Sequence, residues 1–320
     1  MFKIYSFSLL TIVIFSLTAC AQSTRTIAFY NVENLFDTFD DPEKDDKDFL
    51  PDGKLAWDDE RYQKKLAHLN ETINLFESPL LIGLCEVENE QVVRDLVSQG
   101  KLKSSYGVVH YESGDNRGID VALIYDSITL KLQTSGFIRY NMPEGDRPTR
   151  DIVWAKMTFK KDTILAMVNH WPSRYGGAEA SEPKRLIAAN AARKFIDSVQ
   201  VASPTVKIVL MGDLNDYPTD KAPQIVSEVL TPMIAKSSGK YGGTYNYRGE
   251  WDVLDHIMVS SNFSSTKSLS VVENSGKIYT DDFLMDVYKG DTVPRRNYGG
   301  IKYLDGYSDH LPVSIGVKLP

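Results

Sequence analysis

Short apolar runs rich in β-branched and aromatic residues recur from one end of this 320-residue chain to the other. They cover 27–36, 80–87, 119–125, 153–159, 164–168, 208–211, 253–259 and 311–317, each bounded by Asp, Asn, Gly or Pro. Runs of that length and make-up read as strands. Helical patterns sit between them. Over 59–76 the residues Tyr62, Leu66, Leu69, Ile73 and Phe76 fall three or four apart and form one stripe. Val92, Val93, Leu96 and Val97 make a shorter stripe. A third helix is expected over 182–199, opening with Ser181 as its cap and Pro183 in its first turn, and a fourth over 222–230. Helices alternate with strands, yet several strands follow one another directly. That pattern predicts an α/β protein, layered as a sandwich with mixed sheets.

Residues 1–20 stand apart. Lys3 precedes an apolar run over 5–17, and Leu17-Thr18-Ala19-Cys20 follows. A stretch this short at the N-terminus, ending in small residues, reads as an export signal and not a membrane span. Leu-Thr-Ala-Cys resembles a bacterial lipobox, which puts a lipid on Cys20 and the mature chain on an outer surface or in the periplasm. Plain cleavage around Ala19-Cys20-Ala21 fits the small-x-small rule as well and gives a secreted protein. Beyond the signal a single domain is expected over 25–320, since no repeat or long Pro/Gly/Ser linker divides it. Cys85 is the only other cysteine, so no intrachain disulfide survives lipidation or removal of Cys20. The formal charge of −7 removes the basic footprint that usually argues for nucleic acid, although a local basic groove suffices for binding. An acidic loop at 37–59 offers carboxylates to a hard cation such as Ca²⁺, but its spacing matches no ligand loop and a solvated loop is the simpler reading.

Polar residues gather at the ends of the apolar runs. Phe29-Tyr30-Asn31-Val32-Glu33-Asn34 and Gly83-Leu84-Cys85-Glu86-Val87-Glu88 set amides and acids in or after apolar strands, where a carboxylate is costly unless paired or metal-bound. Asn169-His170-Trp171-Pro172-Ser173-Arg174 and Met211-Gly212-Asp213-Leu214-Asn215-Asp216 repeat the arrangement. Trp251-Asp252-Val253-Leu254-Asp255-His256 carries an acid into another strand, and Tyr307-Ser308-Asp309-His310-Leu311-Pro312 precedes the last one. Singly, each has an ordinary explanation: Asp and Asn make turns, and a histidine after a strand is usually structural.

Their joint order is another matter. Asn31, Glu86, His170, Asp213 with Asn215, Asp255, and Asp309 with His310 together resemble the endonuclease/exonuclease/phosphatase superfamily. Gly-Asp-Leu-Asn-Asp at 212–216 and Ser-Asp-His-Leu-Pro at 308–312 are the most specific pieces. The resemblance implies a four-layered α/β sandwich, two packed mixed β-sheets flanked by helices, with the site at the top of the sheets. It also implies roles. Glu86 would be the chief metal ligand with Asn31 and Asp309 beside it, Asp213 would orient or deprotonate water, and Asn215 would hold a phosphate oxygen. His310 would contact the scissile phosphate or act as general base, with Asp255 fixing its tautomer, and His170 would be the second imidazole, protonating the leaving group or binding phosphate. Asp120 is expected to orient His170. Arg150 looks like the phosphate-contacting arginine, with Arg147 as a rival; Arg174 and Trp171 could line the cleft, with solvent exposure and core packing as their respective alternatives. The implied cofactor is Mg²⁺ or Mn²⁺, with Ca²⁺ compatible with the same oxygens.

Three functions fit such a chain: an exported nuclease acting on a phosphodiester substrate, a phosphatase or phosphodiesterase on lipid head groups or inositol phosphates, and a binding protein that keeps the fold. The first is preferred. The third is disfavoured because every expected position is filled. No apolar hairpin for entering a membrane is visible, and no protein partner is implied. In the long insert at 281–306, Arg295, Arg296 and Tyr298 could shape the cleft, with exposed loop charge as the default.

Overall fold

The computed structural model describes residues 24–264 and 268–320; the expected export signal and Cys20 lie outside the described residues. The first half runs β1 (Thr24–Leu35), α1 (Asp59–Asn74), β2 (Pro79–Val87), α2 (Glu90–Gln99), β3 (Tyr106–His110) and β4 (Asp120–Asp126). Then come β5 (Lys131–Ile138), β6 (Ile152–Phe159), β7 (Asp162–His170), α3 (Ala178–Ala202), β8 (Lys207–Asp213), α4 (Lys221–Ser227) and the short β9 (Thr231–Pro232). A hairpin, β10 (Tyr245–Tyr247) and β11 (Glu250–Asp252), precedes β12 (Asp255–Val259). After β13 (Ser270–Val271) and β14 (Lys277–Ile278), the insert forms two small hairpins. These are β15 (Met285–Tyr288) with β16 (Asp291–Pro294), and β17 (Tyr298–Gly299) with β18 (Lys302–Tyr303). The last strand is β19 (Val313–Lys318).

Two large mixed sheets result. One is ordered β13-β19-β1-β2-β4-β3, with β14 also on β19; the other is β5-β6-β7-β8-β12-β9. In each, one central pair is parallel, β1 with β2 and β7 with β8. Residues 27–33 of β1 are buried without alternation, as a strand covered on both faces must be. Gly83 marks how closely the sheets approach: a Cβ there would lie 2.6 Å from Sδ of Met211 on β8. On the outside, α1 presents Leu66, Leu69 and Ile73 to the core of the first sheet. Ala188, Ala192 and Ile196 of α3 and Val226 of α4 cover Leu165, Met167, Ile208 and Leu210 of the second. The four layers expected from the resemblance are therefore present. No described helix is long and apolar enough to cross a membrane.

Every expected strand run is found, and one helix start is corrected. Helix α3 begins at Ala178 and not near Glu182, because Gly176 and Gly177, at φ 83 and 110, make the turn that precedes it. Ser181 is inside the helix, donating its hydroxyl to the Gly177 carbonyl at 2.7 Å, and Pro183 is interior. Tertiary pairing holds this extra turn. Arg185 donates to Oγ of Ser181 at 2.7 Å, and its Nε lies 2.7 Å from Oδ1 of Asp216, both ion-pair partners being buried.

Candidate active site

Two irregular strand ends aim the acids. Between Asn31 and Leu35 the β1–β2 register slips, with Glu33 and Asn34 at φ 49 and 59. Between Cys85 and Val87 the β2–β4 register slips too, with Glu86 at φ 62. A bulge of this kind turns a side chain out of strand alternation at a local cost, and such strain collects at functional sites. The Glu86 carboxylate leaves the sheet and accepts from Nδ2 of Asn31 at 3.2 Å and from the Asn34 N–H at 3.2 Å. The Asn31 amide also donates to Oδ2 of Asp213 at 3.1 Å, joining the ends of β1, β2 and β8 across the two sheets.

The imidazoles face each other across Asp213. His170 Nε2 lies 3.8 Å and His310 Nε2 3.7 Å from Oδ2 of Asp213, and His170 Nε2 lies 3.9 Å from Oε1 of Glu86. Both rings are buried. They are held differently. Nδ1 of His310 meets Oδ2 of the fully buried Asp255 at 2.8 Å. Burial disfavours its charged form, but the carboxylates of Asp255 and Asp213 outweigh that and raise its pKa well above the usual histidine value. Nδ1 of His170 has no hydrogen-bond partner among the described residues. Burial, helped by the charges of Arg150 and Arg117, holds His170 well below the usual value. Burial also lifts the Asp213 carboxyl to about 7, against the pull of His310 and with the push of Asp255.

A cleft of about 720 Å³ opens over this group and is lined by Glu86, His170, Asp213, Asn215, Asp309 and His310. Arg150 and Arg174 reach its wall as well. Arg150 is buried, pairs with Oδ2 of Asp115 at 3.2 Å and donates to the Trp171 carbonyl at 2.7 Å. Its rival Arg147 is exposed and lines an adjoining recess. Asn215, at φ 50, donates its N–H to Oδ1 of Asp213 and its amide to the Trp171 carbonyl. The Arg174 guanidinium stacks on Tyr217, and Trp171 is wholly buried in the core. Asp120 is the correction here. It does not reach His170; Oδ1 accepts the Ser113 N–H and Oδ2 lies 3.4 Å from Nε2 of His110. Asp120 is the first residue of β4, whose neighbour on the far side is β3, and its carboxylate turns to that strand.

The profile of the Endonuclease/Exonuclease/phosphatase family matches residues 26–319. The chain belongs to this family. Solved structures agree in fold. An endonuclease/exonuclease/phosphatase family protein from Bacteroides thetaiotaomicron is 15% identical with a TM-score of 0.59, covering 93% of this chain and 96% of that one. A mannosyl-6-phosphatase from the same organism is 16% identical with a TM-score of 0.57, covering 92% and 99%. The human Nocturnin catalytic domain, with bound sulfate, is 16% identical with a TM-score of 0.58, covering 93% and 98%. No curated protein sequence matches the chain.

Endonuclease/exonuclease/phosphatase enzymes hydrolyse phosphoester bonds with a divalent metal, and at this cleft Asp213, Asp255 and His310 bring ligand atoms within 4.8 Å of one another. Glu86 and Asp309 offer hard carboxylate oxygens at the cleft wall, with Glu33 beside them. As oriented here, Asn31 turns its N–H to Glu86 while its Oδ1 accepts the Glu33 N–H, so it braces the carboxylate. Glu33 and Tyr245 are left without a role by the sequence, and Arg296 is expected only as one of several residues that could shape the cleft. Glu33 is buried, accepts the Asn297 N–H at 2.6 Å, and is lifted to about 7 by burial and by Asp309. Arg296, from the insert, pairs with Oδ2 of Asp309 at 2.9 Å and reaches Glu33 at 3.5 Å. Tyr245 lays its ring 4.8 Å from that of His310.

Proposed function

We propose that this chain is an exported, divalent-metal-dependent phosphodiesterase whose substrate is nucleic acid. The observation that carries the reading is the opposed pair of imidazoles over Asp213. A charged His310, fixed by Asp255, is placed to bind and stabilise a phosphate oxygen as negative charge builds in the transition state. A neutral His170 can accept or relay a proton, Asp213 can orient the attacking water, and Asn215 can hold a phosphate oxygen. Glu86 and Asp309 would hold the cation, braced by Asn31; when bound, it supplies charge neutralisation at the phosphate. Support for the polymer comes from the cleft walls. Arg117, Arg150 and Arg174 suit phosphates, and the exposed rings of Tyr175 and Tyr247 suit base stacking.

The net charge of −7 favours the second reading, a phosphatase or phosphodiesterase on lipid head groups or inositol phosphates. Purified protein assayed against plasmid DNA, RNA, sphingomyelin and inositol phosphates decides between them; turnover of only the last two would overturn the nuclease. In every case EDTA should remove activity and Mg²⁺ or Mn²⁺ restore it, and full turnover after exhaustive chelation would sink the metal role. For export, mass spectrometry of the native protein should find Cys20 lipidated at the N-terminus, or a start near Ala21 or Gln22 without lipid. Met1 retained on a cytoplasmic species would remove both.

A further inference from the structure

One cluster of ligating groups lies outside the cleft and has no part in the proposed chemistry. Strands β3 and β4 pair antiparallel with His110 opposite Ala122, so His110 comes diagonally against Asp120, with Glu112 just past the end of β3. The His110 ring and the Asp120 carboxylate are almost wholly buried, with side chains 3% and 1% exposed. Nε2 of His110 and Oδ2 of Asp120 stand 3.4 Å apart, yet neither has a hydrogen-bond partner among the described residues. Oε1 of Glu112 is 3.9 Å from Nδ1 of the same ring, and one ligand atom from each residue falls within 4.8 Å of the others.

Asp120 keeps one bond, from the Ser113 N–H to Oδ1, but a buried ring nitrogen and carboxylate oxygen that face each other without a hydrogen bond are unusual, because each gives up water for a long contact. Two ligands of one tetrahedral ion at metal distances of about 2.0–2.1 Å stand about 3.3 Å apart, close to the 3.4 Å between Nε2 of His110 and Oδ2 of Asp120; the exposed Glu112 carboxylate, now beside the opposite ring nitrogen, would close the site by a change of rotamer. We infer that His110, Asp120 and Glu112 form a second cation site, distinct from the catalytic cleft, that takes a borderline divalent ion such as Zn²⁺. An imidazole with two carboxylates selects that class over Mg²⁺, which prefers oxygen alone. Glu112 is half exposed and lines an acidic recess of about 310 Å³ with Asp37, Asp40, Asp41 and Glu88, through which a cation can arrive. The Lys44 ammonium in that recess is taken up by the carbonyls of Ser113 and Asp115.

An ion here would clamp the connection between β3 and β4. That segment carries Asp115, the partner of Arg150, and Arg117, so the site braces the basic wall of the cleft from behind. Binding can be read without activity. In a Glu86→Gln/Asp309→Asn background, which weakens the cleft's own metal site, calorimetric titration with Zn²⁺ should show one equivalent bound per chain. Adding His110→Gln should weaken that binding at least about tenfold and remove the ligand-field absorption of the Co²⁺ form. If circular dichroism shows that His110→Gln does not fold, Glu112→Gln, at an exposed position, should still weaken Zn²⁺ binding by a similar factor. No Zn²⁺ bound in the background protein, or binding unchanged by both substitutions, overturns the site.

Discussion

Glu86→Gln is expected to lower metal-dependent hydrolysis by roughly a thousandfold, since it removes one of the few protein charges that hold the cation. The substitution is nearly isosteric. The Asn34 N–H can still donate to the remaining oxygen, the Asn31 amide loses its acceptor on this side chain, and the residue already at φ 62 need not move. Loss of activity would then reflect loss of a ligand and not of the bulge, and circular dichroism should be unchanged. Raising Mg²⁺ should recover part of the rate, because binding is weakened more than chemistry. Glu88→Gln is the matched control two residues on. Burial lifts the Glu88 carboxyl to about 8, so near neutral pH it is largely protonated and Gln resembles the form already present. Its visible bond is to the Asp37 N–H, away from the cleft. A loss at Glu88 equal to that at Glu86 would put the metal in the wrong place.

Much of this architecture was legible because the buried strands carry continuous apolar runs. What was missed follows from the same physics. Strand β5 is an edge strand, mostly exposed, and its Lys131-Leu132-Gln133-Thr134 stretch gives no core signal. Strand β3 is the edge of the other sheet, with a glycine and half-exposed positions. The turn at Gly176 and Gly177 starts α3 early, and the pairing of Arg185 with Asp216 that holds the extra turn is a contact no local pattern announces.

The site divides in the same way. Asn31, Glu86, His170, Asp213, Asn215, Asp309 and His310 share one rim because each lies at a strand end or in the turn beyond it, and strand ends can be read from apolar runs. Glu33 stood in a quoted motif, but its partner Asn297 is 264 residues away, and Arg296 reached Asp309 from a loop whose charges looked solvated. Asp120 shows the reverse error. A carboxylate beginning a strand was matched with the wrong histidine, because order along the chain does not say which neighbouring strand it turns to.

The two imidazoles should differ in how they fail. His310→Ala removes a group held charged by Asp255 and placed over Asp213, so the rate should fall roughly a hundredfold or more. His170→Ala should cost a similar factor if its proton is used in the step. The second carboxylate separates them. Asp255→Asn keeps the shape of the pair but removes the charge that raises His310, and should cost roughly tenfold or more with the fold intact. Among the described residues no such carboxylate stands behind His170, whose Nδ1 is unpartnered, so the drop in the pH profile that Asp255→Asn produces at His310 should have no counterpart at His170. His256 is the sharpest control. It neighbours Asp255 in sequence and is just as buried, but its Nε2 bonds the Asp216 carbonyl and it does not line the cleft. His256→Gln should therefore affect thermal stability more than rate. If at equal folded stability it lost as much activity as His310→Ala, the imidazole assignment would be wrong, because a ring outside the cleft cannot reach the phosphate.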